Sequence, residues 1–132
     1  AQNNFHKQNN FSFKTPPPQT FGLSIIQKLV LTYKLWHEFL AKFPKHSKHT
    51  LGAKIDFLFL EAIEFIAKAN YADKIEKLIC LKRASVKLDL VKFFLQVAWE
   101  IKSLDNKKYA SLSEKINEIG KMLGGWQRQL IK

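Results

Sequence analysis

The sequence predicts an all-α fold, an antiparallel up-down-up-down four-helix bundle, from three observations. Helix breakers are scarce, with 5 Gly and 4 Pro in 132 residues, three of the prolines being the consecutive Pro16, Pro17 and Pro18. Apolar residues recur at spacings of three and four, the period of helices that bury one stripe. The connections between these stretches are short, which sets consecutive helices side by side and antiparallel. A hydrophobic content of 46%, with 11 Phe and 3 Trp, supplies a core for one domain.

Residues 1–22 stand apart. They are rich in Asn and Gln and contain the proline run, which favours an extended polyproline-type segment. They read as a flexible or extended leader, with Phe5, Phe11, Phe13 and Phe21 available to dock on the body or a partner. The bundle domain is expected over 23–132. Its first helix spans about 24–43, with Ile26, Leu29, Tyr33, Trp36, Leu40 and Phe43 on the seam. Phe43 precedes Pro44 and so resists the α region, which ends the helix.

The link PKHSKHT, residues 44–50, is short and basic, and Thr50 is placed to cap the second helix. In that helix Leu51, Ile55, Leu58, Ala62, Phe65 and Ala69 step by four and three. The turn Asn70-Tyr71-Ala72 leads into the longest stretch, Asp73 to Ser103, which lacks Gly and Pro. Asp73 and Glu76 open it at capping-box spacing. Ser85, Asp89, Lys92, Gln96, Glu100 and Ser103 form a narrow polar stripe along about 30 residues, or about 45 Å of helix. Two apolar lines flank the stripe: Val86, Leu90, Phe93, Val97 and Ile101, and Leu88, Val91, Leu95, Ala98 and Trp99. A helix apolar over most of its girth needs more than one neighbour.

The last helix follows a turn at LDNKKY, with Asp105 or Asn106 as cap. Leu112, Ile116, Ile119, Leu123, Trp126 and Leu130 form its seam. Gly120 and Gly124, one turn apart, allow a close approach by another helix, or Gly124-Gly125 ends this one early. The seam persists to Leu130 and favours continuation.

The chain carries 22 Lys and Arg against 11 Asp and Glu, a net charge of +11. Such a field attracts polyanions. Lysine outnumbers arginine 20 to 2, which suits phosphate contact more than bidentate base readout. The candidate binding residues are Lys74, Lys77, Lys82, Arg83 and Lys87, then Arg128 and Lys132, with Lys45 and Lys48 in the basic link. In an antiparallel bundle the link and the second-to-third turn fall at opposite ends, so these form two patches.

Catalytic and metal chemistry find no support. His46 and His49 lie three apart but among Lys45 and Lys48, whose charge opposes a metal ion. Glu61 and Glu64 lack the Glu-x-x-His pattern of carboxylate-bridged metal bundles and read as an exposed charged stripe beside Lys54 and Lys68. No Gly-rich phosphate loop and no Cys and His cluster occurs. Cys80 is the lone cysteine, expected as a packed thiol; it excludes an internal disulfide and fits a reducing, cytoplasmic setting. No apolar run nears about 18 residues without charge, so no membrane span is expected. No enzyme, cofactor or metal is expected.

Four stretches carry a resemblance: FPKHSKHTLGAKI at 43–55, LEAIEFIAKANY at 60–71, KRASVKLDLVKFFLQVAWEIKSLDNKKY at 82–109 and EIGKMLGGW at 118–126. In this order they resemble Avd, the accessory variability determinant of diversity-generating retroelements. Avd is related to the four-helix proteins encoded by intervening sequences of large ribosomal RNA genes. The resemblance covers about 25–130. It implies a homopentameric barrel of four-helix protomers that binds the retroelement reverse transcriptase and template-repeat RNA and supports mutagenic cDNA synthesis without catalytic residues of its own. Five chains of +11 would carry about +55, which makes binding salt-sensitive. The alternative is a ribosomal-RNA-associated bundle with no reverse-transcriptase partner. A structural homo-oligomer whose charge serves solubility is a third reading.

Overall fold

The computed structural model describes residues 21–132, so the leader proper, with its docking expectation, lies outside the described residues. Among the described residues four long helices form the body: α1 (Phe21–Ala41), α2 (Ala53–Tyr71), α3 (Lys74–Glu100) and α4 (Asn106–Leu130), with no strand. Each helix packs against its chain neighbours, and α1 against α4 closes the ring. Helix α1 begins at Phe21, two residues inside the stretch set apart in the sequence, and Gly22 is buried.

The core gathers one stripe from each helix. Ile25, Ile26, Leu29 and Trp36 come from α1, and Ile55, Leu58, Phe59, Ala62 and Ile66 from α2. Helix α3 adds Leu81, Ala84, Leu88, Val91, Leu95 and Ala98, and α4 adds Leu112, Ile116, Ile119, Leu123 and Trp126. Every seam position expected in α4 up to Trp126 is buried, and the helix runs through Gly124 and Gly125 to Leu130. The glycines do not bring a helix close: a Cβ built on Gly120 meets nothing within 4 Å. Gly120 instead lines an open groove of about 480 Å³ between α3 and α4, with Ser85, Asp89 and Lys92 opposite.

The backbone accounts for the helix ends. The Asp73 carboxylate accepts from the Glu76 N–H at 3.0 Å, and Asp105 accepts from the Lys108 N–H at 2.8 Å, each satisfying an otherwise unpaired donor. Thr50 does not cap α2. The 44–50 link is itself helical: a short turn at Lys45–Ser47 runs through a π-turn at Lys48–Gly52 into α2, and the Thr50 hydroxyl donates back to the Ser47 carbonyl. The extended backbone of Pro44 starts this turn, and its carbonyl accepts from the Ser47 and Lys48 N–H groups. Gly52 is needed where the turn passes Leu40, because a Cβ there would stand 2.7 Å from the Leu40 Cδ1.

Helix α3 stops at Glu100, short of Ser103, in a Schellman motif. The Lys102 N–H donates to the Trp99 carbonyl at 3.0 Å and the Ser103 N–H to the Ala98 carbonyl at 2.8 Å. Lys102 takes the left-handed position of this motif, with φ of 68°, where glycine is the usual occupant.

Side chains confirm the antiparallel arrangement. At one end the Ser47 and Ser103 hydroxyls lie 2.9 Å apart, joining the 44–50 link to the α3–α4 turn. At the other, Gln127 donates to Ser85 at 3.2 Å, and Gly22 packs so tightly that a Cβ would clash with Asn70 and Trp126. Between α1 and α2 a polar brace sits beside the core: Trp36 Nε1 donates to Asp56 at 3.1 Å, and Trp36 stacks on Phe59 with ring centres 6.0 Å apart. Burial, together with the hydrogen bond to Asp56, pushes the Tyr33 hydroxyl up to about 12.

Candidate polyanion-binding surface

Helix α3 projects different chemistry in each direction. Its line Leu88, Val91, Leu95 and Ala98 faces inward and is buried. Its polar stripe is not opposite the core but flanks α4, with Ser85, Asp89 and Lys92 in the groove beside Asn117 and Lys121. The outward side is apolar: Val86 and Phe93 are 56% and 57% exposed, and Ile75 and Ile79 continue the line toward the N-terminus. Phe57 and Leu60 of α2 add exposed apolar surface. No isolated bundle gains from such a line, and contiguous exposed apolar surface marks a place where something docks.

Basic side chains border this line. Phe65 lies between two cations, with Lys68 Nζ 5.7 Å and the Arg83 guanidinium 6.0 Å from its ring centre. Phe65, Lys82, Arg83, Val86 and Lys87 line one shallow depression of about 440 Å³. Lys87 is turned toward α2 and pairs with Glu61 at 3.3 Å, which spends its charge inside the protomer. Glu61 is thereby half-buried and paired across helices, unlike the exposed stripe expected of it, while Glu64 pairs with Lys68 at 3.0 Å.

The five basic residues of 74–87, crowded in sequence, do not form one face. Positions 74, 77, 82, 83 and 87 step around the helix at 3.6 residues per turn. Lys82 and Arg83 flank the outward apolar line. Lys77 turns back over Trp126 of α4, with Nζ 5.7 Å from the ring centre, and Lys74 is exposed at the start of α3. Arg128, exposed, folds its guanidinium against Gly124 and Gly125, and Lys132 ends the chain at the same end of the bundle. The structure thus gathers Lys82 and Arg83, with Lys68, which reaches the Phe65 ring while paired with Glu64. It places Lys74, Lys77, Arg128 and Lys132 around the α2–α3 turn.

Lys45 and Lys48 lie at the far end, as the bundle geometry requires, and the Ser47–Ser103 contact brings the α3–α4 turn with Lys102 beside them. Cys80 is half-buried against the core. Among the described residues no group of three or more His, Cys, Asp or Glu side chains gathers to hold a metal ion, and no helix is long and apolar enough to cross a membrane.

Fold and surface together define a basic four-helix-bundle protein with a cation-bordered apolar outer face. A family model described as bAvd-like matches residues 23–130. The chain belongs to this family, the Avd proteins of diversity-generating retroelements, which are accessory rather than catalytic proteins. No curated protein and no solved structure matches the chain.

Proposed function

We propose that the protein assembles as a homopentamer in the cytoplasm and engages the retroelement reverse transcriptase and template-repeat RNA, supporting mutagenic cDNA synthesis. Family membership supports the accessory role. The observation that carries the reading furthest is the outward side of α3, where an exposed apolar line is bordered by Lys82 and Arg83. An apolar line calls for a protein neighbour, and a second subunit supplies one at every copy. Cations left at its border stay available for phosphate, whose attraction grows with each added copy and weakens with salt.

Two experiments test the reading. Light scattering on nuclease-treated protein in high salt is expected to give five times the 15.4 kDa chain mass. A clean monomer would remove the pentamer. The charge-reversed variant Lys82→Glu with Arg83→Glu is expected to stay folded and to lose affinity for RNA, for reverse transcriptase, or both. Unchanged association with both would overturn the assignment of this surface. RNA binding without reverse-transcriptase capture would return the ribosomal-RNA reading.

A further inference from the structure

We infer a second nucleic-acid contact at the α3–α4 turn, where Trp99 is a stacking platform for an unpaired base of single-stranded RNA. The inference rests on the RNA-binding reading above but concerns the other end of the bundle. Trp99 is 37% exposed and borders a cleft of about 580 Å³ with Glu100, Lys102, Leu104, Asp105 and Asn106. Its ring is held still. One face stacks on Tyr109, with centres 5.1 Å apart and planes 13° from parallel, and Nε1 donates to the Asn106 side-chain oxygen. A rigid, partly exposed indole beside a cleft offers the flat π-surface on which any base stacks.

The surrounding charge fits the rest of a nucleotide. The Ser47–Ser103 contact joins two segments that carry Lys45 and Lys48 on one side and the exposed Lys102 and Lys107 on the other, while Lys108 is half-buried with its Nζ over the Phe39 ring. Phosphates can track these lysines outside the cleft. The carboxylates of Glu100 and Asp105 line the cleft itself, Glu100 accepting from Gln96 and Asp105 capping α4. They repel a phosphate or an acidic peptide there and accept from the amino edge of a base. A duplex keeps its bases stacked and cannot present one.

Lys102 gives an independent indication. Left-handed backbone at φ of 68° is unfavourable for a side chain, and glycine at that position would relieve it. Residues held in sparsely populated conformations concentrate where function needs them. Lysine at this turn adds a cation to the rim of the cleft at a cost to the fold.

The test uses the full chain, a mixed-sequence single-stranded RNA of about 20 nucleotides and the matching duplex. Trp36 is fully buried, and Trp126 is 7% exposed with Lys77 over its ring, so the part of the tryptophan quenching on RNA binding that Trp99→Phe removes reports Trp99. Single-stranded RNA is expected to quench it, duplex to quench it less, and Trp99→Phe to abolish the response. Trp99→Ala is expected to weaken binding roughly tenfold, the worth of one stacked base. Lys102→Gly is expected to raise the melting temperature, yet to weaken binding and lower the salt slope by about one. Because that variant relieves strain, it tests the rim cation even if Trp99→Ala fails to fold, while the Trp99→Phe quenching comparison tests the stacking platform. No quenching, with Lys102→Gly binding RNA as well as wild type, would overturn this site. If Lys82→Glu with Arg83→Glu still weakened binding in that case, the reading of the outer face would survive. A wild-type protein that binds no RNA would overturn both.

Discussion

Two apolar lines share helix α3, one turned inward and one outward. Leu88, Val91, Leu95 and Ala98 are buried in the core, on the side of α3 that packs against α2 and α4, while Val86 and Phe93 remain more than half exposed. Nothing in their composition separates them. The difference lies in how many neighbours one bundle can offer: α3 touches α2 and α4 on its flanks and the core between them, and its far side faces away from the chain. Hydrophobicity therefore has two meanings on one helix. The inner line holds the protomer together, and the outer line serves whatever the protomer meets.

The sharpest way to break this comparison is to truncate one residue from each line. Leu95→Ala is expected to cost about 2–5 kcal/mol of protomer stability by leaving a cavity, read from denaturant midpoints. Phe93→Ala, measured where the protein is monomeric, is expected to fall within about 0.5 kcal/mol of wild type. Equal losses would mean that the outer line is structural after all.

A second contrast sets a closed approach against an open one. Gly22 is pressed against Asn70 and Trp126, so Gly22→Ala is expected to cost about 1–3 kcal/mol through overpacking. Gly120 faces open groove, so Gly120→Ala is expected to stabilise by up to about 1 kcal/mol through helix propensity. Thermal melts of both variants, moving in opposite directions, check the pair. A loss at Gly120 would reveal a helix seated in that groove.

The smallest effect concerns the brace between α1 and α2. Tyr33 is raised to about 12 from an ordinary value of 10.0, so its proton is held more tightly in the folded state. Its contribution to stability is complete below pH 10 and is lost as the pH climbs through about 12. Stability measured across that window is expected to fall less steeply in Tyr33→Phe than in wild type. Parallel slopes would show that the brace does not depend on the Tyr33 proton.

Periodicity made the helices legible. The seam of α4 and the Asp73 cap could be read directly, because a three-and-four spacing and a carboxylate before a helix have local causes. The helical 44–50 link is not legible because a π-turn leaves no compositional mark, and the tight passage of Gly52 past Leu40 that requires glycine exists only in the folded chain. The basic cluster of 74–87 was legible as charge but not as a face. Adjacent lysines on a helix diverge, and Lys87 turns inward to meet Glu61, a partner 26 positions away. The Trp99 cleft was hidden for a similar reason. It depends on Tyr109 and Asn106 returning across a turn whose left-handed residue is lysine, where a sequence reader looks for glycine.

The connection between α2 and α3 is only Ala72 and Asp73. Closing so short a loop costs little chain entropy, and these two helices can pair through contacts local in sequence. Docking α1 onto α4 joins opposite ends of the chain and must wait for more of it to be ordered. The α2–α3 hairpin is thus the natural first structure in folding, and it carries both the outward apolar line and a strip of inner core still uncovered. At high chain concentration, the α1 or α4 of a neighbour can compete with the chain's own for that strip, so dilution during refolding should favour the correctly closed bundle.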